Sequence, residues 1–175
     1  EDSEKFNIYL KELDWQEKSS TRNNELAIVS IVRDDKKLAV INENGTVLDK
    51  GVIYPTPPHN KIDEAEVVVL GLIKKHNVNS ISIGNGTASK ESEIFVANLI
   101  KSAKEELAYA VVNEAGASVY SASKLGATEF PDFEPAQRSA VSIARRLLDP
   151  LAELIKIDVK SIGVGQYQHD MPEAR

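Results

Sequence analysis

The Asn44-Gly45 pair constrains the fold of this chain more than any other feature. It separates two apolar-alternating runs, residues 37–43 and 46–54. An Asn-Gly pair in that setting predicts a β-hairpin with a type I′ turn, since both central residues must take positive φ. A further apolar run, residues 27–32, precedes the hairpin, and Pro55-Thr56-Pro57-Pro58 follows it. Proline cannot donate to a ladder, so the sheet must stop there. Three consecutive antiparallel strands are therefore expected to open the domain.

Helix and strand patterns then alternate. Residues 61–76 begin polar and become apolar nearly all round (Val67, Val68, Val69, Leu70, Leu72, Ile73), which at that length predicts a buried helix. Residues 78–83 predict a strand that ends in Gly84-Asn85-Gly86-Thr87. Ser89 is suited to cap the next helix, whose buried side is expected to carry Ile94, Ala97, Leu99 and Ile100. Residues 108–112 predict another strand, and the remainder reads as mostly helical. The order βββαβαβα specifies an α/β fold with a mixed sheet. Three antiparallel strands are followed by alternating helices and parallel strands joined through right-handed crossovers, the ribonuclease-H-like topology.

Composition narrows the function. A chain of 175 residues that is 42% hydrophobic can build one domain with a core. It has no cysteine, hence no disulfide or thiolate metal site, which fits a reducing cytoplasm. No apolar run approaches the ~18–20 residues that span a bilayer, and the charged start Glu1-Asp2-Ser3-Glu4-Lys5 is unlike a signal peptide. The net charge of −6 and pI near 5.2 argue against a domain that coats nucleic acid by bulk electrostatics. Residues 1–26 are polar and acidic, with Phe6, Tyr9, Leu10 and Trp15 scattered among them, and predict an arm or linker.

Two loops follow parallel strands and so are expected at the carboxyl edge of the sheet, where open α/β sheets bind ligands. They are Gly84-Asn85-Gly86-Thr87 and Asn113-Glu114-Ala115-Gly116-Ala117-Ser118. Their glycines would allow close approach of a phosphate, and Thr87 or Ser118 could donate a hydroxyl. In residues 137–149, Ala140, Val141, Ile143, Ala144, Leu147 and Leu148 fall on one helical face, and Arg138, Ser142, Arg145, Arg146 and Asp149 on the other. That polar side is either a solvated face with an Arg145–Asp149 pair or a phosphate-contacting stripe. His59, His76 and His169 lack metal-ligand spacing and read as surface or capping residues. A two-metal nuclease of this fold needs clustered carboxylates. The first strand contains none, with Asp34 and Asp35 lying only beyond it; the strand before residue 85 leads to Asn85, and Glu114 alone is well placed.

Asn113-Glu114-Ala115-Gly116-Ala117-Ser118-Val119-Tyr120-Ser121-Ala122-Ser123, Ser139-Ala140-Val141-Ser142-Ile143-Ala144-Arg145-Arg146, Asp149-Pro150-Leu151-Ala152-Glu153-Leu154 and Gly163-Val164-Gly165-Gln166-Tyr167-Gln168-His169-Asp170 resemble the Tex transcription accessory family, as does Ile83-Gly84-Asn85-Gly86-Thr87-Ala88-Ser89. The match is to its YqgF-like, ribonuclease-H-like module and covers roughly residues 37–175. The family's first strand ends in an Asp-Pro-Gly or Asp-Pro-Ala turn followed by Arg-Thr-Gly. This chain has Ser30-Ile31-Val32-Arg33-Asp34-Asp35-Lys36 instead, and residues 1–36 match nothing in the family pattern.

The resemblance implies a module of a cytoplasmic, nucleic-acid-binding bacterial protein linked to transcription, with no cofactor or metal. Residues 27–160 form that module, and residues 161–175 begin the connection to a helix-hairpin-helix region outside this chain. The leading expectation is a catalytically inactive module contributing to RNA or DNA binding or to domain organisation, with Thr87, Glu114, Ser118, Arg138, Arg145 and Arg146 as contacts. Alternatives are a Mg²⁺-dependent nuclease or resolvase using Glu114 with Asp34 or Asp35, and a scaffold docking to RNA polymerase or other transcription machinery.

Overall fold

The structure is a computed structural model that describes residues 27–32, 36–87, 89–103 and 106–162. The arm at residues 1–26, Asp34, Asp35, His169 and all but the first two residues of the 161–175 segment lie outside the described residues. The strands are β1 (Ala27–Val32), β2 (Lys36–Asn42), β3 (Val47–Ile53), β4 (Ser80–Gly84) and β5 (Ala108–Val112). The helices are α1 (Ile62–His76), α2 (Ser89–Ser102), α3 (Ala117–Ala122), α4 (Lys124–Glu129), α5 (Pro135–Leu148) and α6 (Pro150–Leu154), followed by a 3₁₀ turn at Val159–Ser161. The five strands form one sheet in the order β3-β2-β1-β4-β5. The first three pair antiparallel, whereas β1–β4 and β4–β5 are parallel. This is the mixed α/β sheet that the sequence predicts.

Helices cover both faces. Val29, Ile31, Leu38, Val40, Ile81 and Ile83 meet α1 and α2 on one side, and Ile28, Ala39 and Ile41 meet α3 and α5 on the other. On the α5 side, register places Ala39, Ser30, Ser82 and Ala110 in one row across four strands. Small side chains there let α5, itself built on Ser139, Ala140 and Ala144, lie close to the sheet. The Ser30 and Ser82 hydroxyls are fully buried without hydrogen-bond partners.

Three local expectations are corrected. The hairpin is not type I′, because Gly45 has φ of 73° but Asn44 is not in the positive-φ region. Gly45 N–H instead donates to Asn42 O, Asn42 N–H to Thr46 O, and the Asn42 side chain accepts from Asn44 and Thr46 N–H. A three-residue connection with one left-handed glycine results, so only one residue needs positive φ. The α1 helix is not buried all round: Ala65, Val69 and Ile73 face the core while Val67 is 71% exposed, giving an ordinary one-sided helix. In α2, Phe95, Val96 and Leu99 are buried and Ile94 is exposed. Since α2 begins at Ser89, its capping position falls on residue 88, outside the described residues.

Candidate nucleic-acid interface

Because β4 and β5 run parallel as neighbours, the loops that leave them lie side by side at the carboxyl edge. Asparagine side chains knit them together. Asn85 N–H donates to Val112 O (3.0 Å), and Asn85 Oδ1 accepts from Glu114 N–H (3.0 Å). Asn113 Oδ1 accepts from Ala115 N–H at 2.8 Å, and Glu114 O accepts from Ala117 N–H at 2.9 Å. The Glu114 carboxylate lies against Gly86, where an added Cβ would fall on Oε1. Gly116 has φ of 71°, and a Cβ there would stand 2.7 Å from Ile157 Cγ2. The close approach that these glycines permit is therefore used by the chain's own side chains. Thr87 and Ser118 are exposed at this edge.

The arginines expected to form a solvent stripe take internal partners. Arg138 donates from Nε to Phe130 O (3.0 Å) and from Nη1 to Ser121 O (3.1 Å), joining α5 to α3 and the end of α4. Arg145 donates from Nε to Gly45 O at 2.8 Å, stands over the Phe130 ring, and lies 3.4 Å from Glu129 and 3.8 Å from Glu153. Arg146 is 5% exposed and donates from Nη1 to Asn113 O at 2.6 Å. Its Nε and Nη2 are buried without partners. Desolvation pushes its pKa down, against the pull of Glu153 and Glu114. Ser142, also assigned to the polar side, is buried and donates to Glu153 Oε2 at 3.0 Å. The expected Arg145–Asp149 pair is replaced: Asp149 Oδ1 caps α6 by accepting from Ala152 N–H (3.1 Å). Helix α5 is therefore anchored on both sides, because α3, α4 and α6 close over the side that an isolated helix would expose to water.

Glu129, Glu153 and Tyr120 complete this network and were not singled out from the sequence. Lys156 Nζ bridges Glu153 (2.8 Å) and Glu129 (3.1 Å). The Tyr120 hydroxyl donates to Glu129 Oε2, and burial together with that carboxylate pushes the phenol's pKa up. Burial raises the Glu129 pKa, but Tyr120, Lys156 and Arg145 outweigh it and hold the carboxyl below its ordinary value. The pairing was hidden because Asp149-Pro150 breaks the helix between Arg145 and Glu153, so no helical spacing relates them. Away from this network, His76 Nε2 lies 2.9 Å from Asp49 Oδ2, and His59 meets Tyr54 edge-on.

The nuclease alternative pairs Glu114 with Asp34 or Asp35, which lie outside the described residues. The middle of β1 presents Ser30, Asn85 follows β4, and Glu114 faces Gly86 with a buried guanidinium near it. Among the described residues no three His, Cys, Asp or Glu side chains are grouped to hold a metal.

The chain matches the Tex protein YqgF-like domain over residues 24–148. It belongs to the Tex family. The match starts ahead of β1, so the first strand falls inside the family pattern, although the sequence resemblance had begun near residue 37. The Neisseria gonorrhoeae transcriptional accessory protein Tex is 51% identical over 144 residues, 82% of this chain and 18% of that protein. Bacillus subtilis YdcI is 53% identical over 150 residues, 86% of this chain and 21% of its own length. The human S1 RNA-binding domain-containing protein 1 is 45% identical over 140 residues, 78% of this chain and 14% of that protein. The chain thus spans about a fifth or less of the length of these relatives. No helix among the described residues is long and apolar enough to cross a membrane.

Proposed function

We propose that this Tex-family chain is a non-hydrolytic ribonuclease-H-like module that organises a nucleic-acid-binding transcription accessory protein. It holds neighbouring parts of the longer protein in place and leaves most of the phosphate gripping to them. The observation that carries this reading is the commitment of Arg138, Arg145 and Arg146 to carbonyl oxygens and carboxylates of their own fold. A phosphate-binding arginine must keep its donors available, and the net charge of −6 adds no general attraction. Nucleic-acid contact by the module itself runs through the exposed Thr87 and Ser118, with Glu114 shaping the loop between them. The names of the Neisseria and human relatives support a transcription role among RNA-binding parts. That role puts the module in the cytoplasm beside the transcription machinery, RNA polymerase included.

The missing chemistry is tested by incubating the chain with labelled branched DNA and single-stranded DNA or RNA, with Mg²⁺ or Mn²⁺. No cleavage product is expected. Product that disappears in Glu114→Gln would restore the nuclease reading.

A further inference from the structure

The chain holds two Asn-Gly pairs, Asn44-Gly45 in the hairpin and Asn85-Gly86 at the carboxyl edge. In such a pair the glycine nitrogen can attack the side-chain carbonyl carbon of the asparagine and close a five-membered ring. No Cβ on the glycine blocks that approach. The two pairs are held differently. In the hairpin, Gly45 is buried and its N–H is engaged by Asn42 O at 2.9 Å. At the carboxyl edge, Asn85 is exposed, and among the described residues the Gly86 N–H has no hydrogen-bond acceptor. Glu114 meets this second pair at two points. Its N–H donates to Asn85 Oδ1 at 3.0 Å, which draws electron density from the carbon open to attack. Its carboxylate lies over Gly86. A Cβ there would stand 1.6 Å from Oε1, and standard geometry then puts that oxygen within about 4 Å of the Gly86 nitrogen.

We propose that Asn85 is a self-modification site, at which the Gly86 nitrogen displaces the side-chain amide as ammonia with Glu114 assisting. The Glu114 N–H stabilises the oxyanion that forms on Oδ1, as a backbone donor does in acyl transfer. The Glu114 carboxylate takes the proton from Gly86 N and passes it to the departing amide nitrogen. The bond from Gly86 N to Asn85 Cγ forms, the Cγ–Nδ2 bond breaks, and a succinimide remains. Water then opens the ring. Attack at Cγ restores the peptide bond and leaves an aspartate at position 85. Attack at the backbone carbonyl carbon leaves an isoaspartate, with the main chain running through Cγ. Both products add a negative charge beside Glu114, at the end of β4 where the sequence carries an amide. A fixed backbone ordinarily hinders this ring closure, so a folded rate above the unfolded one is the signature of the Glu114 contacts. None of this depends on a nucleic-acid role for the edge.

The test is peptide-mapping mass spectrometry of the whole chain, held at mildly alkaline pH both folded and in guanidinium chloride. Conversion is scored separately at Asn85 and Asn44. In the folded chain Asn85 should convert about tenfold faster than Asn44, and faster than Asn85 does in denaturant. In denaturant the two sites should convert at similar rates, because only the local pair remains. Glu114→Gln keeps the backbone donor and removes the base, so it should slow folded Asn85 about tenfold, with circular dichroism confirming the fold. Gly86→Ala puts a methyl group beside the attacking nitrogen and should slow it as well. Equal folded rates at Asn85 and Asn44 would overturn the proposal. So would a folded rate at Asn85 no greater than in denaturant, or an unchanged rate in a folded Glu114→Gln chain.

Discussion

Arg146 donates from Nη1 to the carbonyl oxygen of Asn113 at 2.6 Å, tying the last long helix to the end of an edge strand. The bond fixes the loop that carries Glu114, so the shape of the carboxyl edge depends on a buried cation supplied by α5. The desolvation of that cation is costly, and it is offset only in part by Asn113 O and by the nearby carboxylates.

Replacing Arg146 should therefore separate packing from polarity. Arg146→Ala leaves a cavity and an orphaned carbonyl, and should destabilise the fold by about 2–4 kcal/mol. Arg146→Met refills the volume and removes the unpaired nitrogens, so its cost should be about 1–2 kcal/mol. Urea denaturation of both variants distinguishes these outcomes.

Arg145 links the β2–β3 hairpin to Glu129 and Glu153. Arg145→Ala should cost about 1–3 kcal/mol through the lost bond to Gly45 O and lost ion pairing. A double-mutant cycle with Glu129→Gln should return a coupling of about 0.5–1.5 kcal/mol, because both residues share one network. A coupling near zero would mean that the 3.4 Å contact contributes nothing.

The two edge glycines should respond differently to alanine. At Gly86 the obstacle is the end of a flexible glutamate, which can swing aside, so Gly86→Ala should cost less than about 1 kcal/mol. At Gly116 the obstacles are positive φ and a branched Ile157 side chain, so Gly116→Ala should cost about 2–3 kcal/mol. Thermal melts of the pair suffice to check the ranking.

Acid should weaken the fold through Asp49 and Glu129. Hydrogen bonds from Lys75 and then His76 hold the Asp49 carboxyl well below its ordinary range, and Glu129 is depressed by the contacts described above. A carboxyl depressed on folding contributes stability that is present above its unfolded pKa, near 4, and is lost as pH falls through the folded value. Melting temperature should therefore fall as pH drops below about 4. Asp49→Asn and Glu129→Gln should each start lower at neutral pH and show a shallower acid slope.

How far the sequence reveals this molecule depends on which interactions are local. The strand Ala27–Val32, the strand Ala108–Val112 and the order βββαβαβ follow from alternation and punctuation, which act within a few residues, whereas the helices after residue 112 read only as a mostly helical remainder. The apolar half of α5 was equally legible, since Ala140, Val141, Ile143 and Ala144 are buried as their spacing predicts. The other half was not. Its arginines meet Asn113, Gly45 and Glu129 across 33, 100 and 16 residues of chain, and helical periodicity carries no information at such separations. The same limit hid the use of Gly86. A glycine in a strand-end loop announces a close approach without saying whether the visitor is a phosphate or the protein's own carboxylate.

The central claim, that the arginines of α5 hold the fold together instead of the phosphate backbone, is tested most directly by measuring stability and affinity on the same variants. Arg138→Ala and Arg145→Ala, which leave the Asn113–Glu114 loop untouched, would each be melted and titrated with labelled single-stranded RNA across a range of salt. The account predicts lower melting temperatures with affinity and salt dependence unchanged. Unaltered melting with weakened binding, and a salt slope reduced by about 0.7 per arginine removed, would contradict it.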